Sequence, residues 1–510
     1  MPDKNTKEQV DKGLKLLVKS SFIVFIGLFL SKILTYVYRI IIARQFGPEV
    51  YGLFSLAVMV IGWFVAFSSF GLSNGLIRFI PIYRGKKEFN KIKYLFKIST
   101  TILFFSSLIA AFILFFSADF ISIKFFHDSG LIIFLKIFSF LIPLWIFSDF
   151  LISILRAYEE ISWYSFIFNI LQNAVKVLTL ALLVFLGFNS NSVIFSYLLG
   201  FLSMFLVAYF VCKYKISEIF GKYKLKKQIK LKIKKEFISY SWPIMFTSII
   251  GSVFYWIDSF SIGYFKTVLE VGLYNAALPI ALLMSFAPEL FMQLFFPLIN
   301  KEFSRKNWEI IKQLSQQVGK WIFIINLPIF LIILLFPGAI INLLFGSTYL
   351  IAENALRILA IGFFISSLFN ISGNLIGMVG KSKIMLINII ITSLINIILN
   401  IILVPRYGIN GAAISTTIVW ILLSIALLFE ANYYTKIIPV RRSMFKIFLI
   451  SFIPLFLLIF IKQFIIINFI SLILLGSLFL LSYLVLIFVT GCLDKNDFMI
   501  LRSLKRKVWK

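Results

Sequence analysis

The sequence is poor in the side chains that carry most enzyme chemistry. Histidine occurs once, at His127, inside the polar stretch Lys124 to Ser129. One histidine builds neither a nucleophile–base triad nor a histidine metal cluster, and its setting is that of a solvated loop. Cysteine occurs twice, at Cys212 and Cys492, each at the end of an apolar run and without CxxC spacing. That argues against a structural zinc or a redox pair, and no metal or cofactor is expected. Charge is scarce as well: 14% of residues, against about 25% in soluble domains. Acids are the scarcer sign, 21 against 50 bases, for a net charge of +29. What fills the 510 residues is apolar: 61% are hydrophobic and the mean hydropathy is +1.00. A soluble core stops growing near roughly 250–300 residues, so this excess has nowhere to hide from water. The composition specifies a polytopic, all-α membrane protein. It excludes a soluble enzyme, a secreted disulfide scaffold and a nucleic-acid-binding domain.

A bilayer core needs about 20 mainly apolar residues per helix. That ruler gives about fourteen spans, near residues 20–43, 51–82, 95–117, 131–156, 164–187, 192–212, 238–264, 272–299, 319–341, 353–379, 384–404, 411–434, 444–462 and 467–491. The first run is too long for a signal peptide and lacks a small-residue cleavage site. Lysine and arginine set the orientation. Most of them fall on one side, in Arg84–Lys93, Lys213–Lys235, Lys301–Lys312, Lys436–Lys446 and the tail Arg502–Lys510. That side is expected to be the cytosol, with both termini on it and anionic lipid as a partner. Cys212 and Cys492 then lie at inner ends.

Four divisions follow: a six-helix bundle over 1–212, a basic linker over 213–237, a second six-helix bundle over 238–435, and a pair of extra helices with a basic tail over 436–510. In the linker Leu225, Ile229, Ile233 and Phe237 recur every four residues among lysines, the pattern of an amphipathic helix on the inner leaflet. The two bundles read as a repeat. At an offset of about 220 residues, Val50-Tyr51-Gly52-Leu53 faces Glu270-Val271-Gly272-Leu273, Lys86-Lys87-Glu88 faces Arg305-Lys306-Asn307, Leu135-Lys136-Ile137 faces Leu356-Arg357-Ile358, and Gly187-Phe188-Asn189 faces Gly408-Ile409-Asn410. An even number of spans per half gives both halves one orientation. Two such pseudo-symmetric bundles around a central site are the parts of an alternating-access carrier.

Two stretches resemble a known family. Arg44-Gln45-Phe46-Gly47-Pro48-Glu49-Val50-Tyr51-Gly52-Leu53-Phe54 follows the first span, and Val404-Pro405-Arg406-Tyr407-Gly408-Ile409-Asn410-Gly411-Ala412-Ala413 joins spans 11 and 12. Both are similar to signatures of polysaccharide transporters, in the superfamily of multidrug, oligosaccharidyl-lipid and polysaccharide exporters. The resemblance covers essentially the whole chain. It implies a flippase for a polyprenyl-diphosphate-linked oligosaccharide, of the O-antigen (Wzx-like) kind, in the cytoplasmic membrane. A multidrug/cation antiporter of the same fold is the alternative, and a membrane glycosyltransferase or polymerase a more remote one. The motif residues themselves read as turn formers that identify the family without locating its site.

Ionisable groups at membrane depth cost a few kcal/mol each and usually face an interior cavity. Lys32 and Arg39 in span 1 are seven residues apart and share a helix face. Span 5 carries a polar stripe of Asn169, Gln172, Asn173 and Lys176. These six are the expected substrate contacts, with Lys32 and Lys176 holding the diphosphate and Arg39 as an outer relay. Arg78 and Arg156 lie close enough to the inner surface to snorkel. Glu289, near mid-span, is the acid expected to bind a coupling H⁺ or Na⁺, with Asp258 on the preceding span as the alternative; Glu289 could instead pair with Lys32 or Lys176, and Asp149 with either lysine. The excess of cations over acids in the first half suits an anionic substrate.

Overall fold

The computed structural model describes residues 4–464 and 469–493, so the basic tail Arg502–Lys510 lies outside the described residues. Every regular element among them is helical. Eleven helices are long and apolar enough to cross a membrane, or twelve if the pair Gly130–Ser139 and Leu141–Ala157, bent by 44°, forms one span. The chain divides into two compact units, residues 1–275 with 396–412, and 276–395 with 413–510.

The first unit opens with α1 (Lys4–Ser68), α2 (Leu72–Gly85), α3 (Phe89–Phe120), α4 (Gly130–Ser139) and α5 (Leu141–Ala157). It continues through α6 (Ile161–Ser165), a π-helical turn (Phe166–Leu171), α7 (Gln172–Phe185), α8 (Asn191–Lys215), α9 (Lys227–Phe265) and the start of α10 (Val268–Leu282). As one straight rod α1 would be far longer than a bilayer is thick, and it is not straight. Gly47 takes φ 79° and ψ 179°, a conformation open to glycine, and Pro48 cannot donate to the turn before it. The rings of Tyr38 and Phe54 are 5.8 Å apart, where a continuous helix would separate them by about 24 Å. The chain has doubled back into a helical hairpin at the break expected between spans 1 and 2.

The second unit carries the rest of α10, then α11 (Phe286–Ser304), α12 (Trp308–Leu335), α13 (Pro337–Phe345) and α14 (Glu353–Met378). Most of α15 (Ser382–Thr435) follows, with α16 (Arg442–Lys462) and α17 (Phe469–Val489). α15 repeats the hairpin: Gly408 is non-helical, and Asn388 donates to both carboxylate oxygens of Glu430, 42 residues away, at 3.0 and 2.8 Å. The expected total of fourteen spans requires each hairpin to cross twice. Buried Phe295, Ile299, Ile322, Ile371 and Leu375 form the core. The extra helices dock on α12, where the hydroxyl of Tyr483 donates to the carbonyl of Ile324 at 3.2 Å.

The repeat reappears as conformation. Lys87 and Lys306, matched in the sequence, both have positive φ (57° and 60°), as do Gly187 and Gly408 (77° and 54°), although Gly408, with ψ −132°, lies outside the left-handed helical region. The clearest trace is inside the first unit, where a Cβ on Gly52 would overlap the carbonyl of Val268 and one on Gly272 the carbonyl of Pro48. The two pairs correspond at the 220-residue offset of the sequence, Gly52 with Gly272 and Pro48 with Val268. Two helices cross there backbone on backbone, which only residues without side chains permit.

The linker departs from the expected surface helix. Ser217–Phe220 is a 3₁₀ turn, and helix resumes at Lys227 as the first turns of α9. Ile233 and Phe237 are buried, with Phe237 edge-on to Phe79 at 5.8 Å, while Ile229 and Leu231 are exposed. Half of the apolar repeat serves packing within the unit rather than contact with lipid.

Candidate functional site

One cavity of about 90 Å³ in the first unit holds two of the three expected cations, Arg39 and Lys176. Arg39 comes from the first arm of α1, and Asn173 and Lys176 from α7; Tyr38, Phe54, Tyr197 and Trp256 supply aromatic wall. Helix periodicity explains the placing of the α7 pair. Three residues apart is nearly one turn, so both project to one side. No carboxylate is on the wall.

Each cation is held differently. Arg39 is hydrogen-bonded to Tyr51, whose hydroxyl donates to the carbonyl of Asn275 at 2.9 Å. Lys176 is 6% exposed and forms no ion pair among the described residues. Its Nζ lies 4.0 Å from the ring centroid of Tyr197 and 4.5 Å from that of Phe201. Tyr38 is fixed in turn, with its hydroxyl 2.9 Å from Ser196 Oγ and 3.1 Å from the carbonyl of Val193.

The other expected contacts are not on this wall. Asn169 and Gln172 are buried; Asn169 Nδ2 donates to Ser165 Oγ at 3.2 Å, across the π-helical turn. Asn173 reaches the wall and also donates to Ser31 Oγ at 3.0 Å. Lys32 is exposed and lies away from the cavity, although it shares a helix with Arg39. Seven residues along a helix return to the same face only after two turns, about 10 Å further on. A shared face therefore does not put two charges in one pocket.

The acids also separate. Asp258 on α9 is buried and accepts from the Tyr274 hydroxyl at 2.7 Å and from Asn400 Nδ2 at 2.9 Å. Asn400 also donates to Asn396 Oδ1 at 2.9 Å, and its own Oδ1 is buried without a partner. Asp149 is hydrogen-bonded to Ser73 and lies near Arg156. Glu289 is exposed, in the first turn of α11 in the second unit. His127 is in a loop, as its neighbours imply. Among the described residues no group of three His, Cys, Asp or Glu could hold a metal.

Sequence reasoning missed the aromatic wall. Its signal was present: Tyr197 and Phe201 are four residues apart with Gly200 between them, so they share one face of α8 beside a gap.

Residues 17–303, more than half of the chain, match the family described as polysaccharide biosynthesis protein. The chain belongs to that family. Residues 243–402 also match the MatE family, in keeping with the superfamily. Among its relatives, a putative O-antigen transporter of Shigella flexneri is 27% identical over 394 residues, covering 74% of this chain and 88% of that one. The lipid II flippase MurJ of Bacillus subtilis is 24% identical over 447 residues, covering 79% and 80%. A solved structure of lipid II flippase MurJ in an inward closed conformation aligns with TM-score 0.72 at 20% identity, over 91% of this chain and 98% of that chain. That match is a likeness of fold.

Proposed function

We propose that the chain carries a polyprenyl-diphosphate-linked oligosaccharide across the cytoplasmic membrane by alternating access, for surface polysaccharide or glycan assembly, as a carrier and not an enzyme. The observation behind this reading is one cavity holding Arg39 and Lys176 with no acid on its wall. A guanidinium fork and an ammonium point charge are complementary to phosphate oxygens. Asn173 and the tyrosine hydroxyls add neutral hydrogen-bonding groups suited to a sugar. Ordinary ligand pockets run to about 300–1,000 Å³, so the glycan enters after the helices part. Both termini face the cytosol, where anionic lipid meets the basic segments.

The coupling ion, H⁺ or Na⁺, falls to Asp258 in this reading. Its carboxylate is buried among side-chain oxygens and amides, whereas Glu289 is exposed and Asp149 is occupied by Ser73. The MatE match favours a second reading, cation export, which would call for an acidic cavity.

The test is reconstitution in vesicles with a fluorescent polyprenyl-diphosphate glycan. Arg39→Ala and Lys176→Ala protein should remain folded and lose flipping, and cationic dyes should not be exported. Wild-type flipping by both variants would overturn the assignment.

A further inference from the structure

Lys176 poses a physical problem that the proposed carrier leaves open. An ammonium in an apolar bundle is normally neutralised or paired. Here it is nearly sealed and has no carboxylate in reach among the described residues. The charged and titratable groups facing it are Arg39 and Tyr38 across the cavity and Tyr197 on α8; none is an acid.

We infer that the segment Tyr197-Leu198-Leu199-Gly200-Phe201 on α8 is a purpose-built seat that positions Lys176 as a charged group, using ring faces in place of a counter-ion. Three features converge. Tyr197 and Phe201 present their rings to Nζ at 4.0 and 4.5 Å, inside the distance at which a cation is held by a ring face. They are four residues apart, so one helix face carries both. Between them Gly200 clears the path of the lysine stem. A Cβ there would lie 2.9 Å from Lys176 Cε and 3.1 Å from the carbonyl oxygen of Gln172, and closer still to Lys176 Cγ. Because Cγ is at the root of the side chain, it cannot yield without carrying the ammonium off the rings.

The device also suits a carrier. A carboxylate would hold Lys176 in a strong pair that a diphosphate would have to displace. Rings hold it weakly and leave its three N–H donors free to turn toward an incoming anion. Tyr197 and Phe201 are thus positioning residues for the anion site. This inference rests on the proposed function for its purpose, but not for its geometry.

The test reads Lys176 directly, without transport. Purified protein is labelled at neutral pH with a small amine reagent, and modification of Lys176 is quantified by mass spectrometry. Tyr197→Phe keeps the ring and should label like wild type. Tyr197→Leu and Phe201→Leu should raise labelling on the order of tenfold, because loss of a ring frees the amine from its seat. Gly200→Ala should do the same with both rings present. A packing defect would also raise labelling, so the two leucine substitutions are repeated in a Lys176→Met background. There their effect on thermal stability should shrink, since only packing is left to lose. Equal labelling in the leucine and phenylalanine variants, or an undiminished stability loss beside Lys176→Met, overturns the seat. Failure of Lys176→Ala to impair flipping would instead overturn the proposed substrate contact and leave the seat standing.

Discussion

Adding one methyl group at Gly272 should separate two helices that meet backbone on backbone. A Cβ at that position would lie 2.8 Å from the carbonyl carbon of Pro48 and nearer to its oxygen, and a Cβ on Gly52 would lie 2.9 Å from the carbonyl carbon of Val268. Ordinary contact begins at 3.4 Å. The partner in each case is backbone, so no rotamer change relieves the overlap and the helices must move apart by more than half an ångström. Overpacking of this kind costs about 1–3 kcal/mol. Gly62 has no atom within 4 Å of its would-be Cβ, so Gly62→Ala is the control, neutral or slightly stabilising through helix propensity. The two sites share one crossing and should not add: after Gly52→Ala has parted the helices, Gly272→Ala costs less than it does alone. Thermal unfolding of detergent-purified single and double variants measures all of this. Equal stability of Gly272→Ala and Gly62→Ala, or strict additivity of the pair, would refute the reciprocal crossing.

Other consequences are separately checkable. Asp258→Ala removes the acceptor of Tyr274 and Asn400 and should cost about 1–3 kcal/mol through buried donors left unpaired. Asp258→Asn should keep more of that stability while losing the pH or sodium dependence of transport; Glu289→Gln should keep the dependence, and the reverse result would move the coupling role to Glu289. Lys32→Ala, at an exposed position, should lower flipping less than Lys176→Ala in the same vesicles. Cys212 and Cys492, both buried, should resist membrane-impermeant thiol reagents in intact cells, and labelling of either from outside would reverse the orientation.

The all-helical, membrane-spanning character was readable from composition because the bilayer imposes one length and one polarity on every crossing helix; the count was not, since eleven or twelve helices qualify as spans. The hairpin at Gly47-Pro48 was readable because backbone rules act locally. The repeat was readable wherever turns demand a special conformation, as at Lys87 and Lys306. Pocket membership was not. Periodicity groups residues by direction and is silent on distance along the axis, so Lys32 and Arg39 appeared equivalent although only Arg39 lines the cavity with Lys176. The amides of α7 show the same limit: Asn169 and Asn173 share a face, yet one is spent on Ser165 while the other reaches the cavity. The linker misled for a related reason, since an apolar stripe reports that something covers it and not whether the cover is lipid or protein.

The proposed carrier depends on an anion held by Arg39 and Lys176. Binding of a short-chain prenyl diphosphate to the purified protein, set against the matching prenyl alcohol, tests this most directly. Charge-assisted hydrogen bonds contribute about 1.5–3 kcal/mol each, so Arg39→Ala and Lys176→Ala should each weaken diphosphate binding by roughly ten- to a hundredfold and leave binding of the alcohol unchanged. Equal affinity for diphosphate and alcohol in the wild type, or diphosphate affinity unaltered in both variants, would contradict the account.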